Sequence, residues 1–411
     1  MSSTPALPRL LVLASTYPRW HDDHEPGFVH ELAKQLTKRF EVTVLAPSAP
    51  GTRRMERLDG VDVIRYRYAP RRLETLVYGG GMAANLRRAR WKWMLVPCFL
   101  LGQWLAAFRL LRTRNVEVLH VHWLIPQGLV ALCLSLFSRR PVPYVVTSHG
   151  GDLFGFRGRP ASASKRTVIN GAYAVTVVST AMVAAVEQLG ARPKQLAVLP
   201  MGVDLQSRFT PDASIARSSD ELLFVGRLVE KKGLRHLIAA LPVVVSRFPG
   251  ATLTIVGFGP LEAELKREVA NRSLADKVRF VGAVQQQDLP KFYRRAALLV
   301  APFVTDRSGD QEGLPVVLME AIGCGCPLVA SDVPGVRDLI QGGEQNMLVP
   351  PADADALAAA ICAKLSDPAG AQLHAREMRE QGMRLIDWPV IADAYASLLG
   401  QAAACGARDG L

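Results

Sequence analysis

Short β-branched runs alternate with longer stretches of helical periodicity along almost the whole chain. This order constrains the fold most, because strands spaced by helices bury themselves in parallel sheets joined by crossovers. In the first half the runs are Arg9 to Ala14, Glu41 to Ala46, Val61 to Tyr66, Val116 to His122, Tyr144 to Ser148, Ala174 to Val178 and Ala197 to Leu199. In the second half they are Leu222 to Val225, Thr252 to Val256, Val278 to Val281, Leu298 to Ala301, Leu328 to Ala330 and Met347 to Val349. Periodic hydrophobicity lapses between Met201 and Asp220, where Pro211, Asp212, Ser214, Ser218 and Ser219 gather. The reading is an α/β chain of two doubly wound units in series, with no sequence repeat between them. Open sheets of this kind bind ligands outside the carboxyl ends of their strands, so chemistry is expected in the loops that follow strands and in a cleft between the domains.

A length of 411 residues suits two domains, and 49% hydrophobic against 21% charged residues excludes a disordered chain. Six cysteines scattered through apolar contexts do not form a disulfide framework, which points to a reducing cytoplasm. Met1 to Pro8 carries no basic stretch followed by an apolar one, so no export signal is expected. The stretch Met94 to Leu111 is broken by Pro97, Gly102, Gln103 and Arg109, short of the roughly 20 clean apolar residues of a span. It reads as a buried or interfacial helix.

After the run Leu222 to Val225 comes Gly226-Arg227-Leu228-Val229-Glu230-Lys231-Lys232-Gly233, then a helix from Leu234. Cations at a helix N-terminus oppose its partial positive charge, and a bound phosphate would remove the conflict; a solvated basic turn is the alternative. A second loop holds Gly309-Asp310-Gln311-Glu312-Gly313-Leu314-Pro315, with Pro315 at a first helical position and Glu320 in the second turn. Glu320 could accept a pair of ribose hydroxyls and the amides near Gly313 a phosphate, or the two glutamates could be a cap and an ordinary helix residue. Thr147-Ser148-His149-Gly150-Gly151-Asp152 ends a first-half strand, and His149 is the histidine best placed to donate to a ligand or move a proton.

Other features read as structure. Gly257-Phe258-Gly259-Pro260 lacks the third glycine of a dinucleotide fingerprint, although it could line a nucleotide pocket. His21-Asp22-Asp23-His24-Glu25 has no common metal-ligand spacing and is read as a polar loop. His120 and His122 share one strand face without a third ligand, and Cys324-Gly325-Cys326-Pro327 reads as small residues between a helix and a strand.

Together, Phe224 to Arg227 with Lys231 to Gly233, the Glu312 and Glu320 pair, Gly202-Val203-Asp204 and Thr147 to Asp152 resemble the retaining glycosyltransferase family 4, of the GT-B fold. The resemblance runs from Tyr17 to Asp387-Trp388. It implies an acceptor-binding Rossmann-like domain over residues 1–203, completed by a C-terminal helix at about 388–407, and a nucleotide-sugar donor domain over 204–387. By it, Arg227 and Lys232 hold the donor diphosphate with Gly226 and Gly257 beside them, Glu320 binds the ribose, and Glu312 with the amides of Gly313 and Leu314 contacts sugar and phosphate. His149 would face the donor sugar, Gly27 the phosphates, and Asp152 and His122 the acceptor side. Two positions depart from the family: Pro26-Gly27 replaces a glycine pair, and Met201 replaces an asparagine.

The implied reaction moves a sugar with retention from a UDP- or GDP-sugar to a hydroxyl of a glycan or lipid-linked acceptor, in cell-surface polysaccharide or glycolipid synthesis. No cofactor is expected, and no metal, since no Asp-x-Asp motif falls in a suitable loop. The alternative enzyme is a GT-B type nucleotide-sugar epimerase. A net charge of +12 alone would also fit a nucleic-acid or lipid-surface binder, but no nucleic-acid module is visible and none is expected as partner. Residues 53–114 carry fourteen Arg or Lys against four acids, and Arg87-Arg88-Ala89-Arg90-Trp91-Lys92-Trp93 interleaves cations with tryptophans. Two readings fit that segment: peripheral docking on an anionic membrane, at its inner face for a cytoplasmic protein, or a basic groove for a soluble phosphorylated or acidic acceptor.

Overall fold

In the computed structural model the described residues are 6–408, apart from 22, 24–26, 80, 138–140, 156–157, 308 and 341–346. Each apolar run becomes a strand: β1 Arg9–Leu13, β2 Glu41–Pro47, β3 Met55–Leu58, β4 Val61–Tyr66, β5 Val118–His122, β6 Tyr144–Ser148, β7 Ala174–Val177 and β8 Leu196–Val198 in the first half. The second half holds β9 Glu221–Val225, β10 Thr252–Val256, β11 Val278–Gly282, β12 Leu298–Ala301, β13 Leu328–Ser331 and β14 Leu348–Val349. Central strands such as β5 and β6 are buried at every residue, as expected for parallel strands covered on both faces.

The first sheet has the order β3-β4-β2-β1-β5-β6-β7-β8, parallel throughout except for the antiparallel pair β3 and β4. The second has the order β11-β10-β9-β12-β13-β14 and is wholly parallel. Strand order reverses between β1 and β5 in one sheet and between β9 and β12 in the other. Those are the two switch points where such sheets leave a crevice for ligand.

The sequence reading missed β3, whose residues Met-Glu-Arg-Leu are half exposed and show no apolar run. Its signal was the turn instead. Asp59 and Gly60 both have positive φ (47° and 86°), a two-residue hairpin of the Asp-Gly kind joining Leu58 to Val61.

The chain divides into two compact units. The first runs to Val178, takes in Met182–Met201 and is completed from Ile391 onward; the second comprises Ser179–Ala181 and Gly202–Val390. The helix Trp388–Arg408 therefore starts in the second unit and continues in the first. In the second unit Gly202 lies against Trp388, where an added Cβ would come 2.5 Å from the indole ring.

The stretch Met94 to Leu111 belongs to the helix Leu95–Thr113. Leu95, Phe99, Gln103 and Ala107, one residue per turn, are its buried face, and Gln103 donates to the carbonyl of Ala14. With the preceding turn, Arg90–Thr113 is long and apolar enough by composition to cross a membrane, and 22% of its apolar 18-residue window is buried. One face of this helix is buried against the first unit and the rest is partly or fully exposed.

Candidate active site

Two loops of the second unit meet at its switch point. After β9 the chain passes Gly226 and a short 3-10 turn, Glu230–Lys232, before the helix Leu234–Arg247. After β12 it passes Pro302 to Pro315 before the helix Val316–Gly323. The loops touch so closely at Gly233 (φ 65°) that a Cβ there would lie 1.7 Å from the Pro302 carbonyl oxygen. Gly257 (φ 134°) presses likewise on the backbone of Gly226, so the turn after β10 lines the same place.

Across this contact Lys232 Nζ donates to Glu312 Oε2 (3.1 Å) and sits 4.9 Å over the Phe303 ring. Lys231 Nζ lies 3.3 Å from Asp310 and 3.4 Å from Glu312 Oε1. Two carboxylates of the chain already pair with the crowded lysines, a relief that neither the bound phosphate nor the solvated turn of the sequence reading included. Burial pushes the Glu312 carboxyl up, but Lys232 and Lys231 outweigh it and hold the group below its usual range. Burial lowers Lys231, yet Glu312 and Asp310 raise it overall. Arg227 is exposed and has no ion pair among the described residues.

The carboxylates also have spare capacity. Glu312 Oε1 and Asp310 Oδ1 are buried without a well-formed hydrogen bond, Lys231 Nζ lying 3.4 Å from Glu312 Oε1. Buried acceptors are rarely left so unless a ligand or water completes them. Pro315 is the N-cap in extended conformation rather than the first helical residue, and Glu312 does not cap the helix. Glu320 is 4% exposed. It accepts from the Tyr293 hydroxyl (2.7 Å), and burial raises its carboxyl to about 7 against the pull of Tyr293, Gln286, Arg208 and Lys232.

In the first unit, His122 ends β5 and His149 follows β6. Their rings stack with centroids 5.2 Å apart, and Nδ1 of one is 3.0 Å from Nε2 of the other. His120 lies behind, hydrogen-bonded to Thr147. Burial lowers His149 and His120 to about 3 and His122 well below its usual value, so all three are neutral near pH 7. A neutral His149 can donate or accept a hydrogen bond but brings no positive charge to the site. Asp152 accepts from the Leu124 N–H (2.6 Å), the Ser148 hydroxyl (2.9 Å) and the His149 N–H (3.1 Å). Both its oxygens thus brace the loop. Gly27 caps the helix Phe28–Leu36.

A sequence-family model described as glycosyl transferases group 1 matches residues 219–367, and one described as glycosyltransferase family 4 matches 28–207. A glycogen synthase of Mycobacterium tuberculosis is 30% identical over 297 residues, 70% of this chain and 69% of that protein. The chain belongs to glycosyltransferase family 4. A GDP-mannose-dependent alpha-(1-6)-phosphatidylinositol monomannoside mannosyltransferase of Mycolicibacterium smegmatis is 31% identical over 271 residues, 63% of this glycosyltransferase and 70% of the relative. The sucrose-phosphate synthase of Thermosynechococcus elongatus has the same GT-B fold, with a TM-score of 0.78 at 24% identity over 97% of this chain and 100% of that one. Anabaena Alr3699/HepE in complex with UDP follows at 0.70 and 19%, over 96% and 100%.

In this glycosyltransferase the second unit brings together Gly226, Lys232, Gly257, Glu312 and Glu320 from residues far apart in sequence. Gly313 and Leu314 stand between Glu312 and the Val316 helix, whose first N–H groups have no intrahelical partner. Tyr293 was missed, since nothing in Leu289–Arg295 marks it, whereas Asp310 was visible in the loop but given no role. Among the described residues no three His, Cys, Asp or Glu are grouped to hold a metal; Asp22, His24, Glu25 and Pro26 lie outside them.

Proposed function

We propose that the enzyme transfers a sugar, with retention, from a nucleoside-diphosphate sugar to a hydroxyl of a lipid-linked glycan precursor, without a metal. The observation that carries this is the paired Lys232 and Glu312 beside exposed Arg227, with two buried carboxylate oxygens unfilled. Lys232 and Arg227 stabilise negative charge on the departing diphosphate, the electrostatic lever of the reaction. Glu320 accepts the ribose hydroxyls and Glu312 Oε1 a hydroxyl of the sugar. The acceptor oxygen attacks C1 on the leaving-group face, the C1–O bond to the diphosphate breaks, and a diphosphate oxygen takes the acceptor proton. His149 offers a neutral imidazole to a hydroxyl group.

The lipid-linked reading is supported by the surface around the helix Leu95–Thr113. Trp91, Trp93, Met94, Leu101 and Leu105 are 49, 56, 78, 56 and 52% exposed, and Arg87, Arg88, Arg90, Arg109 and Arg112 flank them. Apolar side chains rimmed by cations suit a headgroup interface. The mycobacterial relative acts, by its name, on phosphatidylinositol monomannoside, which points the same way. The enzyme belongs on this reading at the inner face of the membrane, in polysaccharide or glycolipid synthesis.

A thermal-shift panel of nucleoside diphosphates identifies the donor base, because a ligand that binds only the folded state raises the melting temperature. Transfer assays then follow with that donor. Donor conversion without any acceptor would favour the epimerase. Co-sedimentation at low salt should be strong with anionic vesicles and weak with neutral ones; equal, negligible binding to both would remove the membrane part.

A further inference from the structure

The first unit contains an open cavity of about 1250 Å³ on the β3-β4-β2 side of its sheet. The loop after β2, the start of β3, the end of β4, the residues after it and one side of the helix Leu95–Thr113 form its wall. Seven arginines line it. Three have carboxylate partners: Arg65 with Glu56 (2.9 Å), Arg67 with Glu74 (3.4 Å) and Arg114 with Asp62 (3.2 Å). Arg53, Arg54, Arg71 and Arg109 are exposed and have no ion pair among the described residues.

The one acid on the wall cannot serve those four. Glu74 is 4% exposed and already accepts from the Ser48 hydroxyl (2.5 Å), Arg67 and the Tyr68 N–H (3.2 Å). Tyr66, also on the wall and 5% exposed, has a buried hydroxyl with no hydrogen-bond partner. Contrast the lysines of the second unit, which carry their own counter-ions. Four guanidinium groups gathered around a concavity repel one another unless an anion enters, and guanidinium groups match phosphate oxygens two at a time. Met55, Ile64, Leu105 and Leu110 give the same cavity an apolar side, and Leu105 also belongs to the exposed row of the helix.

We infer that this cavity is a second anion site that takes the phosphate or diphosphate group of an amphipathic ligand, with Arg53, Arg54, Arg71 and Arg109 as its donors. It deepens the acceptor reading above and rests on it only for which molecule bears the phosphate. The chemistry recognised is a phosphoryl group beside an apolar chain; the bearer is either a phosphate-linked acceptor or a membrane phospholipid headgroup.

The test is calorimetric titration of the full chain with inorganic pyrophosphate at low salt, where two unlike sites are expected. Arg53→Gln/Arg54→Gln/Arg71→Gln/Arg109→Gln should weaken one at least tenfold and leave the other. Arg227→Gln/Lys232→Gln should do the reverse. Should the fourfold variant melt early, the wild type still decides: pyrophosphate should protect these four arginines from phenylglyoxal, read by mass spectrometry. Vesicles of phosphatidylcholine doped with phosphatidic acid distinguish the bearers, since competition with pyrophosphate assigns a lipid headgroup and none assigns a phosphate presented otherwise. One pyrophosphate site, lost only with Arg227 and Lys232, and no arginine protection would overturn the inference. Failed co-sedimentation with intact pyrophosphate binding would sink membrane docking and leave this site standing.

Discussion

The two units handle charge in opposite ways. Around Lys231 and Lys232 of the second unit, Asp310 and Glu312 lie within 3.1–3.4 Å, and the loops carrying them are locked by glycine contacts. In the first unit the histidines after β5 and β6 are neutral and stacked, while four of the seven arginines that line an open cavity have no ion pair among the described residues. On the proposed function the second unit binds and releases a diphosphate at every turnover, and its internal counter-ions would hold the lysines in place between turnovers. A basic surface without them is set to attract an anion from outside. The comparison separates preorganisation from recruitment.

The largest effect that would break this contrast is on rate. If the proposed mechanism holds, Arg227→Ala and Lys232→Ala each remove a charge-assisted contact to the leaving diphosphate, and each should lower transfer by about 30- to 1,000-fold, roughly 2 to 4 kcal/mol. Steady-state transfer with the identified donor measures it. Activity within twofold of wild type for both would take them out of the site.

Stability should divide the units next. Glu312→Gln leaves Lys231 and Lys232 half-buried with a weakened partner, which should cost about 1 to 3 kcal/mol in ligand-free enzyme. Arg71→Gln in the first unit removes an unpaired surface charge and should change stability by no more than about 0.5 kcal/mol. Chemical denaturation of both variants is the measurement, and equal losses would erase the distinction.

Much of this contrast was legible in the sequence, for a physical reason. Strands buried on both faces are rich in apolar and β-branched residues, so β10 and β12 announce themselves, as does β5 despite its two buried histidines, and glycines at strand ends mark loops that have to approach closely. The strand β3 has neither property; only its Asp59-Gly60 turn betrays it. The pairing of Lys232 with Glu312 joins residues 80 apart in the chain, and spacing carries no record of it. Nor does composition tell that the basic segment 53–114 gathers four unpaired arginines around a cavity beside three others neutralised by acids that only folding brings near.

A smaller effect should appear in pH dependence. Glu320 has its carboxyl raised by burial from 4.5 to about 7. The folded state thus holds an extra proton between those values, and this group's contribution to stability falls as pH rises through that window, levelling above about 7. Donor binding has the opposite sign, since the ribose hydroxyls donate best to the ionised form. From pH 8 to pH 6 the ionised fraction drops about tenfold, so donor KM should rise by about that factor. Glu320→Gln should bind weakly and without this slope; a wild type flat over the same range would separate Glu320 from the ribose.

The smallest expected effect is none, from removal of divalent metal. A metal in such a site would bridge the diphosphate oxygens and need carboxylates to hold it. Asp310 and Glu312, the carboxylates nearest the cations, are engaged by lysines at 3.3 Å and 3.1 Å. Binding a divalent ion there would set it beside two ammonium groups, whose mutual repulsion at a few ångströms amounts to several kcal/mol at the effective dielectric of a partly buried site. On the proposed mechanism Arg227 and Lys232 supply the positive charge on the leaving group that the metal would otherwise bring. Transfer rates in excess EDTA should therefore equal those in magnesium or manganese. A complete loss in EDTA, restored by either ion, would mean that the lysine pairs open on donor binding and release their carboxylates to a metal, and the preorganisation assigned to the second unit would have to be given up.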